Sequence, residues 1–351
     1  MSVWDSYPVD YRTREVEYIN RAVQAGECVA VVGLSGAGKS NLVGFLAARS
    51  PLAAPRSVLV DCNRLPDPSA EALYAFTRRS LGDARPATDE FQALESAIDR
   101  RLADQPEGLC LLFDRFDSLS PANTPLFGNL RALRDTFKYR LTYVTSTRRP
   151  LDPHTELAEL FFANTLWLGP LSESDARWNV ARYTQRKGVT WDEATVGEVL
   201  LLSGGYPSLL RAVCEACSDG ASLEVRSLCT HPAIKRRVDE FWADLPGEDD
   251  LRRSGLSDQP LLFSGRLSLA DQQLTAKEHL LLGYLRQHPN TVCDKDDLIR
   301  AVWPEDKIFE RGIRDDSLAQ LVRRLREKIE PDASNPAHIF TVPGRGYRYV
   351  V

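Results

Sequence analysis

A glycine-rich segment between an apolar run and a helix-like run constrains this chain more than any other feature. Apolar residues at 28–32 precede the sequence Gly-Leu-Ser-Gly-Ala-Gly-Lys-Ser at 33–40, and apolar residues at helical spacing follow it. The order is strand, loop, helix, and the loop fits the pattern G-x-x-x-x-G-K-[ST]. Glycines let backbone N–H groups curl around a phosphate without Cβ clashes, and the N-terminus of the following helix adds partial positive charge. The segment therefore predicts a phosphate-binding loop.

The residue types inside this loop have separate predicted roles. Lys39 should reach the β- and γ-phosphates of a nucleotide, and the Ser40 hydroxyl should ligate Mg²⁺. A chance match to the pattern is the alternative, but correct flanks on both sides disfavour it. We therefore expect the chain to bind ATP or ADP with Mg²⁺. The other predicted nucleotide contacts in and beside the loop are Gly33, Ser35, Gly36, Ala37, Gly38 and Asn41.

A second acidic element follows another apolar run, as such a loop requires. Residues 108–113 lead into Asp114, which we expect to hold Mg²⁺ through water. An ordinary strand followed by an acidic turn is the alternative. Further strand-like runs at 57–61, 141–146 and 165–168 alternate with helical stretches. This alternation predicts an α/β fold with a parallel sheet that helices cover on both faces.

The order of four motifs makes residues 8–245 resemble the P-loop ATPases of the AAA+ and STAND branch. These motifs are Arg14-Glu15, similar to the Arg-Glu box before the core; Asp-Arg-Phe-Asp at 114–117, similar to a Walker B form with a second acid; Thr-Ser-Thr-Arg at 145–148, similar to a sensor strand; and Gly-Gly-Tyr-Pro at 204–207, similar to a glycine-proline motif. The resemblance implies that Arg14 contributes to the nucleotide site and that Pro207 packs near the adenine.

One departure from that family bears on hydrolysis. Many AAA+ ATPases carry Glu directly after the Walker B aspartate to polarise the attacking water, but this chain has Arg115 there. Asp117 is the candidate substitute, so we expect slow hydrolysis and a nucleotide-controlled switch in preference to a fast motor. Either Arg148 or Arg149 could face a γ-phosphate. The predicted catalytic set is Lys39, Asp114, Asp117 and Arg148.

Composition shifts divide the chain into four predicted parts. Residues 1–170 form the ATPase core, and residues 171–245, with charged and apolar positions at helical spacing, form a helical lid. Residues 246–258 are polar and glycine-bearing, which predicts a linker. Residues 259–351 form a separate domain.

The last part has the pattern of a winged helix. Two short strand-like runs at 261–263 and 266–269 precede a helix that Thr275 and Glu278 begin as a capping box. A second helix should start near Asp294 and end at Trp303, and a third should span 315–329 with one apolar face. A hairpin that turns at 344–346 closes the sequence.

This stretch closely resembles the DNA-binding domain of OmpR/PhoB-type response regulators. The matching motifs lie at 274–278, 324–328 and 344–348. The resemblance implies that the third helix enters the major groove of double-stranded DNA, that Arg345 reaches the minor groove, and that the segment 304–314 contacts RNA polymerase. The predicted DNA contacts are Ser317, Gln320, Arg323, Arg324, Arg326, Lys328, Arg345 and Arg348.

Charge limits the strength of such binding. Basic residues only modestly outnumber acidic ones from 311 to 351, and the formal net charge of the chain is -5. That balance excludes a protein that coats nucleic acid indiscriminately and favours local contacts. A winged helix that docks onto protein instead of DNA is the alternative.

Three functions remain open at this point. The first is a transcriptional regulator in which ATP or ADP controls the winged helix. The second is a DNA-transaction ATPase, similar to initiators or transposition regulators, that forms a nucleotide-dependent homo-oligomer on DNA. The third is a defence or signalling switch whose winged helix binds protein.

The sequence also indicates a compartment. It has no apolar run near the roughly 20 residues that a membrane helix needs and no visible export signal, so we expect a cytoplasmic protein with no membrane partner. Seven cysteines in a chain of 351 residues suit free thiols in a reducing compartment. A zinc site at Cys214, Cys217, Cys229 and His231 is the less favoured alternative.

Overall fold

The structure is a computed structural model that describes residues 3–50, 56–105, 107–119, 124–256, 262, 276–303, 315–330 and 332–350. The chain divides into two compact units, Met1–Leu262 and Phe263–Val351.

The first unit is built around a parallel sheet. Its strands are β1 (Val29–Val32), β2 (Ser57–Asp61), β3 (Leu109–Asp114), β4 (Leu141–Thr147) and β5 (Thr165–Trp167). They lie in the order β2-β3-β4-β1-β5, and every neighbouring pair is parallel, which confirms the predicted α/β fold. All residues of β1, β3 and β4 are buried, because helices cover the sheet.

Five helices accompany the strands of this sheet: α1 (Thr13–Gln24), α2 (Lys39–Arg49), α3 (Ala70–Ser80), α4 (Glu90–Asp104) and α5 (Thr124–Phe137). Their starts follow local sequence chemistry, since Ser69 caps α3 and Asp89 caps α4 through side-chain oxygens. A core of strand and helix residues, including Leu73, Ile98 and Leu111, joins these helices to the sheet.

The helix α2 also supports a tryptophan. The indole of Trp4 packs so closely on α2 that a Cβ atom on Gly44 would lie 2.2 Å from its ring. Glycine is therefore required at this position in the middle of the helix, despite its poor helix propensity.

Further helices form the part predicted as a lid: α6 (Glu173–Lys187), α7 (Glu193–Ser203), α8 (Pro207–Ser218), α9 (Val225–Leu228) and α10 (Pro232–Ala243). Gly188 and Gly204 end α6 and α7 in the left-handed conformation that favours glycine. Pro207 begins α8, where its missing N–H costs nothing.

A helix occupies part of the segment that the sequence predicted to be a linker. Helix α11 (Glu248–Arg253) begins with a bond from the Gly247 N–H to the Asp250 carboxylate. Leu251 and Leu256 are buried, and the Ser254 carbonyl approaches Gly169 so closely that a Cβ there would lie 2.5 Å away. This segment is therefore packed against the end of β5 in the first unit.

The second unit is a winged helix. It contains α12 (Ala276–Gln287), β6 (Val292–Asp294), α13 (Lys295–Val302), α14 (Asp315–Ile329), β7 (Ile339–Val342) and β8 (Gly346–Tyr349). The antiparallel sheet has the order β6-β8-β7. The predicted second and third helices and the hairpin are confirmed, while β6 was not predicted. Apolar side chains from all three helices and the hairpin share one core, including Leu281, Leu298, Leu325 and Tyr347.

Some predictions fall on residues that the structure does not describe. The strand-like runs at 261–263 and 266–269, except buried Leu262, lie outside the described residues, as do Thr275 of the capping box and the proposed polymerase-contacting segment up to 314.

The described residues contain neither a membrane-spanning helix nor a cluster of metal ligands. None of the helices there is both long and apolar enough to cross a membrane. In the same ranges no three or more His, Cys, Asp or Glu residues group in a way that could hold a metal, and the four residues of the zinc alternative form no such group.

Candidate functional site

The phosphate-loop motif forms the connection between β1 and α2. Its start is held on the sheet, because the Gly33 N–H donates to the Thr147 carbonyl at 3.1 Å. Gly36 and Gly38 have φ angles of +82° and +92°, which lie in the left-handed region that favours glycine. Gly38 is also the N-cap of α2 and has no side chain with which to cap it. The first N–H groups of the helix are therefore left for an anionic ligand.

A cavity of about 600 Å³ opens over this loop. It gathers residues that are far apart in the sequence: Ser35, Gly36, Gly38, Lys39, Ser40, Asn41, Asn63, Arg115, Asp117, Ser118, Arg148, Pro207, Ser208, Arg211 and Arg237. Most of the predicted nucleotide and catalytic residues are thus brought together. Gly33 and Ala37 belong to the same loop and present their carbonyl oxygens to Lys39 and Arg12.

Lys39 is turned back onto the loop. Its Nζ donates to the carbonyl oxygen of Gly33 at 2.5 Å and to that of Leu34 at 3.3 Å. Burial lowers the pKa of Lys39, while the nearby carboxylates of Asp117, Asp244 and Asp114 oppose this shift. The ammonium group thus lies beside the loop, with three carboxylates near it.

Asp114 ends β3 as a buried carboxylate. Its Oδ1 accepts the Ser146 hydroxyl at 2.6 Å, and the Ser146 Oγ in turn accepts the Arg115 N–H at 2.9 Å. Asp114 and the Ser40 hydroxyl offer the hard oxygen ligands that Mg²⁺ prefers. Mg²⁺ in a nucleotide site needs only one or two protein ligands beside phosphate oxygens, so these two residues fit the ion.

Arg115 approaches the same place from the turn after β3. This residue has a left-handed φ of 55°, and its Nε lies 3.5 Å from the Ser40 Oγ. A guanidinium group thus faces the hydroxyl predicted to bind Mg²⁺, at the sequence position where many AAA+ ATPases carry Glu.

Asp117 is engaged with an arginine. The Arg148 Nε donates to Asp117 Oδ2 at 2.7 Å, and the Arg148 backbone N–H donates to the same oxygen at 3.3 Å. The bond with Asp117 raises the pKa of Arg148 above its already high value. Both bonds go to Oδ2 of the carboxylate.

The lid is attached to the loop by two residues that the sequence did not predict. The Tyr206 hydroxyl donates to the Ser35 carbonyl at 2.7 Å, and the Ser208 N–H donates to the Gly36 carbonyl at 3.1 Å. Pro207 lies between them, with its Cγ 3.4 Å from the position of a Cβ on Gly38. The predicted proline is therefore brought to the loop. Arg211, one turn further along α8, also lines the cavity.

A buried arginine that the sequence did not single out reaches the loop from the other side. Arg12 is 2% exposed and has a left-handed φ of 48°. Its guanidinium donates to the Ala37 carbonyl at 3.1 Å, to the Gly169 carbonyl at 3.0 Å and to Glu15 at 2.8 Å. Its backbone N–H donates to Asp175 of α6 at 3.2 Å. Arg12 therefore joins the N-terminal segment, the loop and the lid.

Arg14, the predicted arginine, occupies a different place. Its exposed side chain lines a second cavity, together with Trp167 and Arg253, and is not brought to the phosphate loop. Its part in nucleotide binding stays a prediction. No local pattern singles out Arg12, which stands just before α1 and directly follows the buried Tyr11.

The residue after α10 completes the loop's contacts. Asp244 Oδ2 accepts the Ser35 N–H at 2.8 Å, and its Oδ1 lies 3.5 Å from the Arg148 guanidinium. The Asp244 carbonyl accepts Arg149 at 2.5 Å. The Asp244 carboxylate thus accepts a hydrogen bond from a main-chain N–H of the phosphate loop.

In the second unit, one face of α14 carries exposed polar residues. Ser317, Gln320, Arg323 and Arg324 are exposed, while Leu318 and Val322 point into the core. Arg323 is paired with Glu327 at 3.0 Å. The exposed face is the one that could enter a DNA groove.

Two basic residues of α14 have structural contacts instead. Arg326 donates to the Ile339 carbonyl and to Thr341 of β7, and Lys328 donates to the buried Glu278 at 2.6 Å. In the hairpin, Arg345 is exposed and lies 3.9 Å from Asp294, and the exposed Arg348 lies over the Phe340 ring. All four remain predicted DNA contacts.

The fold and the loop define a P-loop NTPase unit followed by a winged-helix unit. The chain belongs to the novel STAND NTPase 1 family, whose family model matches residues 11–210. Residues 270–349 match the family model described as transcriptional regulatory protein, C terminal.

Curated relatives match shorter parts. Transcriptional regulatory protein YvrH of Bacillus subtilis is 41% identical over 70 residues, which cover 20% of this chain and 28% of that protein. The alkaline phosphatase synthesis transcriptional regulatory protein SphR of Synechococcus elongatus is 39% identical over 118 residues, which cover 33% of this chain and 43% of that protein. The matched segments thus span less than half the length of either relative.

Solved structures resemble the chain at low identity. The Walker-type ATPase PABY2304 of Pyrococcus abyssi has a TM-score of 0.46 and 15% identity, covering 99% of this chain and 97% of that one. Cdc6p from Pyrobaculum aerophilum has a TM-score of 0.45 and 14% identity, covering 98% and 92%.

Proposed function

We propose that this chain is an ATP-dependent switch in which the bound nucleotide controls DNA binding by the winged helix, in order to regulate transcription. The observation that carries this proposal is the attachment of the lid to the phosphate loop. Tyr206 and Ser208 bond to carbonyls of the loop, so a nucleotide held by Lys39 would lie against the lid. A change at the phosphates would then alter the position of the lid.

The chemistry of the site favours slow turnover. When bound, Mg²⁺ would neutralise charge on the β- and γ-phosphates. Asp117 would orient or deprotonate the attacking water, and its pairing with the cationic Arg148 disfavours that proton transfer. Arg115 supplies no proton acceptor at the place where a glutamate is common. A slow cycle gives each nucleotide state time to act on the rest of the chain.

The exposed face of α14 supports the proposal that the switch controls binding to DNA. Arg323 and Arg324 lie on this face beside Ser317 and Gln320, where both phosphates and base edges could be reached. The family match of residues 270–349 to regulatory C-terminal domains supports the same use. Two further points remain predictions. One is that the segment 304–314 contacts RNA polymerase, and the other is that the chain forms a homo-oligomer when nucleotide is bound.

Reciprocity of binding tests the switch. A duplex that the full-length chain retains would be selected from random DNA, and its affinity measured with ADP and with a non-hydrolysable ATP analogue. Nucleotide affinity would then be measured with and without saturating duplex. We expect ATP to raise DNA affinity and DNA to raise ATP affinity by the same factor, with a coupling of about 1–3 kcal/mol.

Lys39→Ala is the control for this experiment, because it should lose nucleotide affinity and leave DNA affinity insensitive to nucleotide. If nucleotide leaves DNA affinity unchanged and DNA leaves nucleotide affinity unchanged, the two units are joined by the chain but not coupled. Failure to retain any duplex at low salt would favour a winged helix that binds protein.

A further inference from the structure

The loop that should bind nucleotide phosphates already binds an anion of the chain itself. The Ser35 N–H, inside the phosphate-loop motif, donates to Asp244 Oδ2 at 2.8 Å. Backbone N–H groups of such a loop recognise anionic oxygen, whether on a phosphate or on a carboxylate. The two residues are 209 positions apart, so this contact is a product of the fold.

One cation of the cavity, Arg148, also approaches this carboxylate, and its neighbour Arg149 bonds the main chain of the same residue. Arg148 donates to Asp117 at 2.7 Å and approaches Asp244 Oδ1 at 3.5 Å, and Arg149 donates to the Asp244 main-chain carbonyl at 2.5 Å. The Asp244 side chain is only 9% exposed. A carboxylate with so little exposure is stable only when donors surround it, and here they are the Ser35 N–H of the loop and the Arg148 guanidinium that lines the cavity.

Helix α10 holds Asp244 in position. Phe241, one turn earlier, is fully buried and packs edge-on against Tyr206, with ring centroids 5.6 Å apart. Tyr206 itself donates to the Ser35 carbonyl, so the N–H and the C=O of Ser35 are both taken by the lid. The next residue, Leu245, has a left-handed φ of 47° and is exposed. Such a conformation is uncommon for a residue other than glycine.

We propose that Asp244 is a built-in competitor for the nucleotide phosphates, and that nucleotide binding displaces it and detaches the end of α10 from the phosphate loop. This inference rests on the proposed binding of nucleotide at the loop. A phosphate group and the Asp244 carboxylate cannot both accept the Ser35 N–H. Their negative charges would also repel each other if both lay beside the loop. Displacement of Asp244 removes one carboxylate from Arg148, whose guanidinium lines the cavity over the loop.

The apparent nucleotide affinity of the wild-type chain is therefore the intrinsic affinity of the open loop multiplied by the fraction of molecules in which Asp244 has left the loop. Mg·ADP binding to full-length wild type, Asp244→Ala and Asp244→Asn would be measured by isothermal titration calorimetry. We expect about tenfold tighter binding for the alanine variant, and a smaller gain for asparagine, whose amide oxygen still accepts a hydrogen bond. Glu198→Gln, at an exposed carboxylate on α7, removes the same charge and should leave the affinity within twofold.

Hydrogen exchange on the wild-type chain gives a second test that needs no variant. Adding Mg·ADP should slow exchange at 33–40 and speed it at 242–246. Slower or unchanged exchange at 242–246, or Asp244 variants that bind no tighter than Glu198→Gln, would overturn the inference. If neither the wild type nor Asp244→Ala binds nucleotide, or if Lys39→Ala binds as well as the wild type, the proposed function fails instead.

Discussion

The Ser146 hydroxyl donates to Asp114 Oδ1 at 2.6 Å across the neighbouring strands β4 and β3. The same oxygen of Ser146 accepts the Arg115 N–H, so one buried hydroxyl orients both the carboxylate and the turn that follows it. A carboxylate that is to meet a metal ion must be held in one direction, and this bond provides the restraint.

Ser146→Ala should therefore weaken the dependence of nucleotide binding on Mg²⁺. Loss of a hydrogen bond to a charged group costs about 1.5–3 kcal/mol, so the gain in ADP affinity that Mg²⁺ gives should fall by about tenfold or more. Titration of ADP at several Mg²⁺ concentrations measures this. Thr145→Val is the matched control on the same strand, because the buried Thr145 hydroxyl has no hydrogen-bond partner among the described residues. Equal Mg²⁺ dependence in the two variants would contradict the role given to Ser146.

Asp117→Asn should slow ATP turnover and leave ADP affinity nearly unchanged. An asparagine keeps the shape beside Arg148 but cannot take a proton, and loss of a general base typically costs about 10²- to 10⁴-fold in rate. Single-turnover measurements separate the chemical step from binding. If binding is lost while turnover per bound ATP is kept, Asp117 is a structural partner of Arg148 and not the base.

Arg12→Met should destabilise the first unit, because it removes a buried cation and leaves Glu15 and the Ala37 carbonyl without their donor. We expect a loss of about 1.5–3 kcal/mol in the free energy of unfolding. Arg14→Met, two residues away at an exposed position, should stay within about 0.5 kcal/mol of wild type. Chemical unfolding monitored by circular dichroism gives both values. A similar loss in the two variants would show that Arg12 has no special part in the fold.

Two basic residues of α14 should respond differently to removal. Arg324→Ala should make the slope of log affinity against log salt concentration shallower by about one, the value for one lost phosphate contact. It should leave the melting temperature unchanged. Lys328→Met should lower the stability of the winged helix by about 1–3 kcal/mol, because it removes a charged donor that lies 2.6 Å from Oε2 of the buried Glu278. Filter binding across a salt series and thermal unfolding distinguish the effects. An unchanged salt slope for Arg324→Ala would remove this face of α14 from the DNA site.

Features encoded over a short stretch of sequence were predicted correctly. The strand, loop and helix around 33–40 and the third helix of the second unit follow from local residue types and periodicity, which act through neighbours along the chain. Asp114 could be placed at the end of a strand for the same reason. Helix α11 was missed because glycine and charge indicated a linker, although Asp250 three residues after Gly247 is a signal for a helix start.

Features produced by tertiary structure could not be predicted in this way. No local pattern joins Asp244 to Ser35, since the contact depends on the packing of α10 against α8. The choice between Arg12 and Arg14 likewise depends on which side chain the sheet buries, and the motif resemblance pointed to the exposed one. The bond of Asp117 to Arg148 arises because β3 and β4 are adjacent in the sheet.

The close packing of Trp4 on Gly44 gives the protein a natural optical reporter. Gly44 is five residues beyond Lys39, or about 7.5 Å along the axis of α2, so an indole ring rests on the helix whose first turn should meet the phosphates. A shift of α2 on ligand binding would change the surroundings of this ring and hence its fluorescence. The chain has six tryptophans, and the difference between its emission and that of Trp4→Phe isolates the signal. Occupancy of the loop could then be followed in real time without any attached dye.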